Sequence, residues 1–230
     1  MTDLIDTTEM YLRTIFELEE EGTVPLRARI AERLHHTGPT VSQTIARMSR
    51  DGLVTVEGDR HLELSAEGRR LGTAVMRKHR LAELLLVNVI GMPWADVHVE
   101  ACKWEHVMGT EVERRLVTLL DHPTACPHGN PIPGLAELGE PDEDPSVEQF
   151  ATLASVARAG GEVVVRRISE HLQTDAELMA ELEEAGVRPQ ETVTAAGSGA
   201  GAGVRVGHDG HQTDLTAEVA ALVFVSPAPS

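Results

Sequence analysis

The stretch from residue 26 to residue 64 limits the fold of this 230-residue chain more than any other part. Apolar residues at helical spacing predict one helix over residues 26–35 and another over 40–50, with a Gly-Pro pair in the short turn between them. Two helices joined in this way form a helix-turn-helix. Residues 52–64 then alternate apolar and polar side chains around a Gly-Asp turn, which predicts a β-hairpin. Because a helix-turn-helix followed by a hairpin is a winged helix, we expect that fold here.

The predicted helix over residues 40–50 has an apolar side and a polar side. Val41, Ile45 and Met48 form the apolar side, and the opposite side combines short hydrogen-bonding side chains with arginine. Gln and Arg can read adenine and guanine edges in the major groove, while Ser, Thr and Arg can reach phosphates. A small helical domain without a ligand is the simpler alternative, but the pattern favours duplex DNA binding. The candidate DNA contacts are Arg27, Thr37, Pro39, Thr40, Ser42, Gln43, Arg47, Arg50 and Arg60.

The charge of the chain is unevenly distributed. Its net charge is −17, yet residues 27–80 hold 11 Lys or Arg against 6 Asp or Glu, and the remainder holds 9 against 31. An acidic protein with one basic region is suited to an oriented contact with a polyanion. A charge cluster is often only solvated surface, so this pattern supports DNA binding without establishing it.

Residue types that bind metals are concentrated in the segment 98–106. At about 100° per residue, side chains at positions 98, 102, 105 and 106 of a helix project within an arc of about 100°. Two more such residues stand at i and i+4, which are neighbouring positions on a preceding helix. The six residues are His79, Glu83, His98, Cys102, Glu105 and His106. One histidine on an apolar face is usually a core residue, but six residues of metal-binding type on two helices predict a transition-metal site.

Helices are also predicted on both sides of these segments. A capping box at Asp6 begins a helix that runs to about residue 21. A long helix is expected from about residue 65 to 90, and another from about 110 to 120, as the apolar periodicity indicates. These apolar-rich helices are the expected dimer interface, because helix-turn-helix proteins usually pair to match two half-sites.

The last third of the chain predicts a connector and a second, smaller domain. Prolines and acidic residues between 122 and 161 disfavour regular structure. Beyond them, a strand from residue 162, a helix near 175–185 and three short strands near 191–195, 203–207 and 222–225 predict a small mixed barrel. The glycine-rich run 196–203 is the expected turn.

Segments that would direct the chain to a membrane are not evident. The sequence has no signal peptide and no apolar run of about 18 residues. We therefore expect a cytoplasmic protein with no membrane contact.

Residues 1–140 resemble the iron-dependent repressor family of the diphtheria toxin repressor type, and the resemblance is weaker beyond residue 140. The motifs that carry it lie at residues 6–14, 26–34, 38–44, 75–83, 104–108 and 129–135. The resemblance implies an α+β protein with three domains. These are a winged helix-turn-helix domain (1–73), an all-α metal-binding and dimerisation domain (74–140) and, after an acidic, proline-containing linker (141–161), an SH3-like β-barrel (162–226).

The same resemblance implies two metal sites and an anion site. It assigns the primary metal to Met10, Cys102, Glu105 and His106. It assigns the ancillary metal to His79, Glu83, His98, Glu170 and Gln173. The implied anion ligands are Arg80 and Asn130, which in the family act beside a hydroxyl residue. This chain has Cys126 at that position. Because a thiol is a poorer hydrogen-bond donor than a hydroxyl, the sequence leaves it undecided whether an anion binds there.

The implied primary ligands indicate the metal. Met and Cys are soft ligands, imidazole is borderline and carboxylate is hard, a mixture that suits Fe(II) better than Mg(II) or Ca(II). Family members that respond to manganese carry carboxylates in place of the Met and Cys. We therefore expect two Fe(II) ions per chain, with Co(II), Ni(II), Mn(II) and Zn(II) as substitutes in vitro.

The sequence analysis thus predicts an Fe(II)-activated transcriptional repressor. It would bind double-stranded operator DNA as a homodimer and control iron uptake and homeostasis genes. A regulator that responds to manganese or another divalent metal is the alternative within the family. A metalloenzyme is disfavoured, because the ligand list nearly fills each site and leaves no acid, base or nucleophile at motif spacing. A metal-storage module would not need the winged helix, and no small-molecule substrate is expected.

Overall fold

The computed structural model describes residues 6–141, 150–198 and 203–228, which divide into two units. Of these residues, the first unit takes in 6–82, 101–122 and 132–141, and the second takes in 83–100, 123–131, 150–198 and 203–228. The unit boundaries at 82/83 and 100/101 fall inside helices, and none of the boundaries falls at residue 74.

The first unit begins with the predicted winged helix, which is confirmed. Its elements are α1 (Thr7–Glu20), α2 (Arg27–Arg33), α3 (Gly38–Arg50) and the antiparallel strands β1 (Val54–Val56) and β2 (Leu62–Leu64). Asp6 is the N-cap of α1, and its side chain accepts hydrogen bonds from the backbone N–H groups of Thr8 and Glu9. Helix α2 is shorter than expected and α3 starts two residues earlier, where Thr37 is its N-cap.

A small apolar core holds the winged helix together. Val41, Ile45 and Met48 of α3 are fully buried, as their spacing predicted, and they belong to one cluster with Tyr11 and Leu12 of α1. The opposite side of α3 is exposed. The periodicity of α3 therefore fixes which of its side chains are free to contact another molecule.

The long helix after the hairpin ends earlier than the sequence suggested. Helix α4 covers Ala66–Leu85, and Leu86–Ile90 form a π-helical turn that Gly91 ends with a φ of 80°. Helix α5 (Val97–Trp104) and helix α6 (Thr110–Leu119) follow. The expectation that one helix carries the whole 98–106 segment is corrected, because α5 ends at Trp104 and the last two positions lie in the turn after it.

The second unit contains a six-stranded antiparallel sheet. The strand order is β3-β8-β4-β5-β6-β7. The strands are β3 (Ala151–Thr152), β4 (Gly161–Ile168), β5 (Thr192–Gly197), β6 (Val204–His208), β7 (His211–Leu215) and β8 (Val223–Pro227), and three helices accompany them, α7 (Leu153–Val156), α8 (Ala176–Glu184) and α9 (Ala217–Ala220). One apolar cluster of the sheet and helices forms its core.

Three features of this unit differ from the sequence analysis. Strand β7 was not predicted, because His211–Leu215 is mostly exposed and polar. Residues 151–156 form β3 and α7, although they were assigned to the linker, and β3 pairs with β8. The remainder of the linker prediction at 142–149, and the centre of the predicted turn at 199–202, fall outside the described residues.

The segment before the barrel is bound to β4. The backbone N–H of Ile168 donates to the carbonyl of His128, and the Asn130 side chain donates to the carbonyl of Ile168. Gly129, with a φ of 82°, lies so close to β4 that an added Cβ would stand 2.0 Å from the carbonyl oxygen of Arg166. Part of the predicted connector is therefore ordered against the sheet.

No helix among the described residues is both long and apolar enough to span a lipid bilayer.

A substitution at Gly68 tests the packing of α4 on the hairpin. A Cβ at this position would lie 2.0 Å from the carbonyl oxygen of Leu53, a backbone atom that cannot turn aside. Although alanine favours a helix over glycine by up to about 1 kcal/mol, we expect Gly68→Ala to lower the free energy of unfolding by about 1–3 kcal/mol. Urea denaturation followed by circular dichroism measures this. Gly58→Ala, where nothing lies within 4 Å, is the control and should change little.

Candidate metal centre

The first group of candidate ligands lies where α5 ends. Cys102 is in the last turn of α5, and Glu105 and His106 follow in the turn after it. The Glu105 side chain is fully buried; its Oε2 lies 2.7 Å from Nδ1 of His79, and its Oε1 lies 3.4 Å from Nε2 of His106. A thiol, a carboxylate and two imidazoles are thus close together within the first unit.

Helix α1 adds two side chains to this group. Glu9 Oε2 lies 2.6 Å from Nδ1 of His106. Nη1 of Arg13 donates to the two oxygens of Glu105, at 3.0 and 2.9 Å, and to Sγ of Cys102, at 3.1 Å. The winged helix and α5 therefore contact each other through charged side chains at this point.

Met10 lies in α1 between these two contact residues and is half-buried. At about 100° per residue, its side chain projects about 60° away from that of Arg13. The side of α1 that carries Met10 is therefore the side that faces Cys102 and Glu105. Met10 remains a candidate ligand on these grounds.

Neighbouring charges and hydrogen bonds shift the pKa values of Glu105 and His106. Burial raises the pKa of Glu105, but the Arg13 charge and the hydrogen bond with His79 outweigh that effect, so the pKa lies below its ordinary value. Burial lowers the pKa of His106, while its hydrogen bond to Glu9 and the charge of Glu105 raise it, and the net pKa is above its ordinary value. Glu105 is therefore an anion at neutral pH and requires positive charge beside it.

The donor set fits a divalent transition metal. A thiolate is a soft ligand, imidazole is borderline and carboxylate is hard, which is a combination that Fe(II), Co(II) and Zn(II) accept. Arg13 places a positive nitrogen within 3.1 Å of Cys102 Sγ and of both Glu105 oxygens. A metal cation bound by the same atoms would bring positive charge to the thiol and the carboxylate, as the Arg13 guanidinium does here.

The second group of candidate ligands is in the second unit. Glu83, His98 and Glu170 are buried, and one ligand atom of each lies within 4.8 Å of the others. Nδ1 of His98 is 3.4 Å from a carboxylate oxygen of each of the two glutamates. Gln173 is buried, and its Nε2 donates to the carbonyl of Ile168. Among the described residues, Oε1 of Gln173 has no hydrogen-bond partner, as expected of an oxygen that serves as a ligand.

His98 lies in the second unit, and Cys102, Glu105 and His106 lie in the first, so residues of the 98–106 segment belong to both units. The division of the ligands into a primary and an ancillary site stays a prediction. His79, assigned to the ancillary set, lies in the first unit and contacts Glu105.

Four residues near these groups were not recognised as contributors. Glu9 and Arg13 are one helical turn apart in α1. Their i, i+4 spacing, on the side of the helix that carries Met10, could have indicated that they lie near the metal ligands. Cys126 and His128 are both buried, and a ligand atom of each lies within 4.8 Å of one of Glu83. The Cys-Pro-His sequence at 126–128 is evident in the chain. The segment was nevertheless predicted to be a connector, because prolines and glycine surround it.

The two residues of the implied anion site each have a protein partner. Arg80, fully buried, donates to the carboxylate of Glu20 in the first unit. Asn130 donates to the carbonyl of Ile168 in the second unit. The anion site stays a prediction.

The candidate DNA contacts form an accessible surface. Eight of the nine are exposed, and Arg27 is half-buried. Pro39, Thr40, Ser42, Gln43, Arg47 and Arg50 belong to α3, Thr37 caps it, and Arg60 is in the hairpin turn. The exposed side of α3 has the shape and chemistry of a recognition helix.

Comparison with known families identifies the class of protein. The model of the iron-dependent repressor N-terminal DNA-binding domain matches residues 3–62, and that of the metal-binding and dimerisation domain of the same repressors matches residues 65–134. The model of the FeoA domain matches residues 152–227. The chain is thus a three-domain protein with a DNA-binding, a metal-binding and dimerisation, and a C-terminal SH3-like domain, as the sequence predicted.

Individual relatives make the identification more specific. The chain is 58% identical over 214 residues to the iron-dependent repressor IdeR of Mycobacterium tuberculosis (strain ATCC 25618 / H37Rv), covering 92% of this chain and 93% of that protein. It is 55% identical over 188 residues to the diphtheria toxin repressor of Corynebacterium diphtheriae, covering 82% and 83%. A solved structure of a manganese-dependent transcriptional repressor in complex with manganese superimposes with a TM-score of 0.79 at 29% identity, covering 95% and 99%. The chain belongs to the iron-dependent repressor family.

Replacing Arg13 tests the electrostatics of the first group. Removing one partner of a buried ion pair costs on the order of 3–5 kcal/mol, and because His79 stays beside Glu105 we expect Arg13→Gln to cost about 2–3 kcal/mol near neutral pH. The pKa of Glu105 is lowered by folding. The stabilisation is therefore present above the pKa of unfolded Glu105 and is lost as the pH falls through the lower, folded-state pKa.

Urea unfolding of chelator-treated protein, near neutral pH and in acid, measures this loss. Arg69→Gln is the matched control, because Arg69 and its partner Glu19 are both partly exposed and an exposed pair contributes about 0–1 kcal/mol. An Arg13→Gln effect as large in acid as at neutral pH would contradict the assignment of Arg13 as the counter-charge of Glu105.

Proposed function

We propose that this protein is an Fe(II)-activated transcriptional repressor that binds operator DNA in the cytoplasm as a homodimer and controls iron uptake and homeostasis genes. The observation that carries the proposal is the contact of α1 with the Cys102–Glu105–His106 group. Through Glu9 and Arg13, a helix of the DNA-binding domain reaches the candidate ligands at the end of α5. A change in charge at these ligands therefore acts directly on the position of α1.

Two sets of residues would hold the metal. The primary set is Met10, Cys102, Glu105 and His106, and the ancillary set is His79, Glu83, His98, Glu170 and Gln173. When bound, Fe(II) supplies positive charge to the thiolate and carboxylates. Met10 and Cys102 favour iron over manganese, because both are soft ligands. The 58% identical IdeR of Mycobacterium tuberculosis is named as iron-dependent, whereas the manganese-dependent structure is only 29% identical.

The chain's own residues then couple the site to DNA. Arg13 gives up its bonds to Cys102 and Glu105, and Met10 takes a fixed position beside them, which restrains the N-terminal turn of α1. Since α1 and α3 share one apolar core, a restraint on the position of α1 also restrains the recognition helix α3. In thermodynamic terms, the conformation with the higher metal affinity is also the one that binds DNA, so metal shifts the population towards it.

Dimer formation has a physical basis in the first unit. Val107, Val112 and Leu119 are 60%, 50% and 60% exposed in and around α6. Large apolar side chains exposed together mark interaction sites. Two copies paired through this region would present two α3 helices to two half-sites. The family match to a metal-binding and dimerisation domain supports the same assignment.

We propose no catalytic role for this chain, since the relatives above are named as repressors.

Substituting single ligands tests the division into primary and ancillary sites. We expect Cys102→Ala to abolish Fe(II)-dependent operator binding, because it removes a soft primary ligand that lies against α1. His79→Ala should only weaken it, and Glu170→Ala should act more mildly still. Anaerobic gel-shift titrations with and without Fe(II) measure this, and His211→Ala, an exposed residue of β7, is the control. Equal loss in Cys102→Ala and His79→Ala would refute the division, and unchanged DNA affinity on adding Fe(II) would refute the repressor proposal.

Recognition by α3 is tested at Gln43. An amide side chain that contacts a base edge is worth about 1–3 kcal/mol of discrimination. Gln43→Ala should therefore weaken specific operator binding by about 5- to 150-fold and leave binding to unrelated DNA nearly unchanged. Fluorescence anisotropy at fixed salt measures both affinities, with the exposed Gln212→Ala as control. A uniform loss on specific and unrelated DNA would show that Gln43 contacts only the backbone.

A further inference from the structure

A contact between Tyr11 and His36 joins α1 to the turn that leads into α3. We propose that this hydrogen bond transmits the position of the N-terminal turn of α1 to the start of the recognition helix, so that Tyr11 and His36 are positioning residues for DNA binding. This assignment, which rests on the proposed function, adds a specific polar link to the apolar core that the two helices share. Neither residue belongs to the candidate metal ligands or to the candidate DNA contacts.

The two side chains meet inside the winged helix. Oη of Tyr11 lies 2.9 Å from Nδ1 of His36, and the ring centroids are 5.8 Å apart. Tyr11 is fully buried, in the same cluster as Val41 and Ile45 of α3, whereas His36 is half-buried. Among the described residues, the Tyr11 hydroxyl has no other hydrogen-bond partner. Because a buried hydroxyl without a partner is costly, this bond favours one position of the turn relative to α1.

The turn that contains His36 needs support from its surroundings. His35 has a φ of 51°, a left-handed conformation that is unfavourable for residues with a Cβ. It ends α2 in a Schellman motif, in which the N–H of His35 donates to the carbonyl of Glu32 and the N–H of His36 to that of Ala31. A strained residue persists only where the surrounding structure holds it. The Tyr11 contact is made by the next residue and supplies part of that support.

The residue after His36 begins the recognition helix. Thr37 is the N-cap of α3, and its Oγ1 accepts a hydrogen bond from the backbone N–H of Thr40 at 3.4 Å. Thr37, Pro39 and Thr40 are candidate DNA contacts, and the N-terminal residues of a recognition helix are those that contact base edges. A displacement of His36 therefore moves the part of α3 on which DNA recognition depends most.

The same turn of α1 contacts the candidate metal centre on its other side. Glu9 reaches His106 and Arg13 reaches Glu105, and Tyr11 stands midway between Glu9 and Arg13 in the chain. At about 100° per residue, the Tyr11 side chain projects about 160° away from those of Glu9 and Arg13. One helical turn thus contacts the candidate ligands with one side and the helix-turn-helix with the other. A movement of this turn at the metal centre is passed to His36 without any other element between them.

Operator binding by Tyr11→Phe tests the link, because phenylalanine keeps the buried ring and removes only the hydroxyl. We expect the gain in operator affinity that Fe(II) produces to fall by about 2- to 10-fold, the range that one net hydrogen bond supplies. The affinity without Fe(II) should stay the same. His36→Leu should lose as much, whereas His36→Asn should keep most of the gain, since its side-chain oxygen can replace Nδ1 as acceptor. Anaerobic fluorescence anisotropy with and without Fe(II) measures these affinities.

A double-mutant cycle distinguishes one shared bond from two separate effects. If Tyr11 and His36 act through the same bond, the Tyr11→Phe/His36→Leu double variant should lose no more than either single variant. Arg33→Gln is the matched control, because Nη1 of Arg33 in α2 donates to Glu21 at the far end of α1. It removes a polar contact between the same elements away from the metal centre and should leave the Fe(II)-induced gain unchanged. Losses that multiply in the double variant, an equal loss with and without Fe(II), or an equal loss in Arg33→Gln would overturn the proposal.

Hydrogen exchange without DNA separates this link from the repressor function. With Co(II) as the probe, we expect the backbone amides of residues 35–41 to exchange more slowly in the unmodified protein. This added protection should be lost in Tyr11→Phe, although both proteins bind the same number of Co(II) ions. Equal protection in both proteins, or none in the unmodified one, would overturn the link. An operator affinity of the unmodified protein that does not respond to Fe(II) would instead refute the repressor proposal, and the exchange result would still decide the link.

Discussion

The pairing of the buried Glu105 carboxylate with Arg13 and His79 is the interaction on which the arrangement of the first unit depends. A charged group without solvent is costly unless other groups neutralise it. Here Arg13 and His79 do so from different elements, and the pKa of Glu105 is lowered as a result. Because Arg13 is in the DNA-binding domain, the carboxylate ties that domain to α5. Under the proposed function, a metal ion bound at this carboxylate would act on α1 and, through the apolar core that α1 shares with α3, on the recognition helix.

Glu83 has the corresponding position in the second unit. It lies within 3.4 Å of His98 and within 3.3 Å of His128, while Glu170 reaches His98 from the residues that follow β4. The ordered 126–130 loop brings Cys126 and His128 to the same carboxylate. The C-terminal sheet therefore helps to build this buried group. Glu170 follows β4 and contacts His98, and β4 holds the loop that carries His128.

Much of the fold and part of the site followed from sequence patterns. Val41, Ile45 and Met48 recur at helical spacing, so the buried side of α3 and its exposed opposite side were both predictable. The hairpin followed from strict alternation around its turn. Strand β7 was missed because an exposed strand has no apolar alternation, and β3 was missed because a two-residue strand exists only through its pairing with β8. Glu9 and Arg13 escaped notice because a charged residue on a helix is ordinarily a solvated one.

The sequence by itself determined the winged helix, the order of the domains and the presence of metal-binding residue types at 79–106, since these depend on local spacing. Only the tertiary structure decided which residues meet. It set Arg13 against Glu105, and it brought His128 to Glu83 across 45 positions of the chain. The physical reason is that periodicity fixes which face of an element is buried, whereas the partners across that face are chosen by packing and by the need to neutralise buried charge.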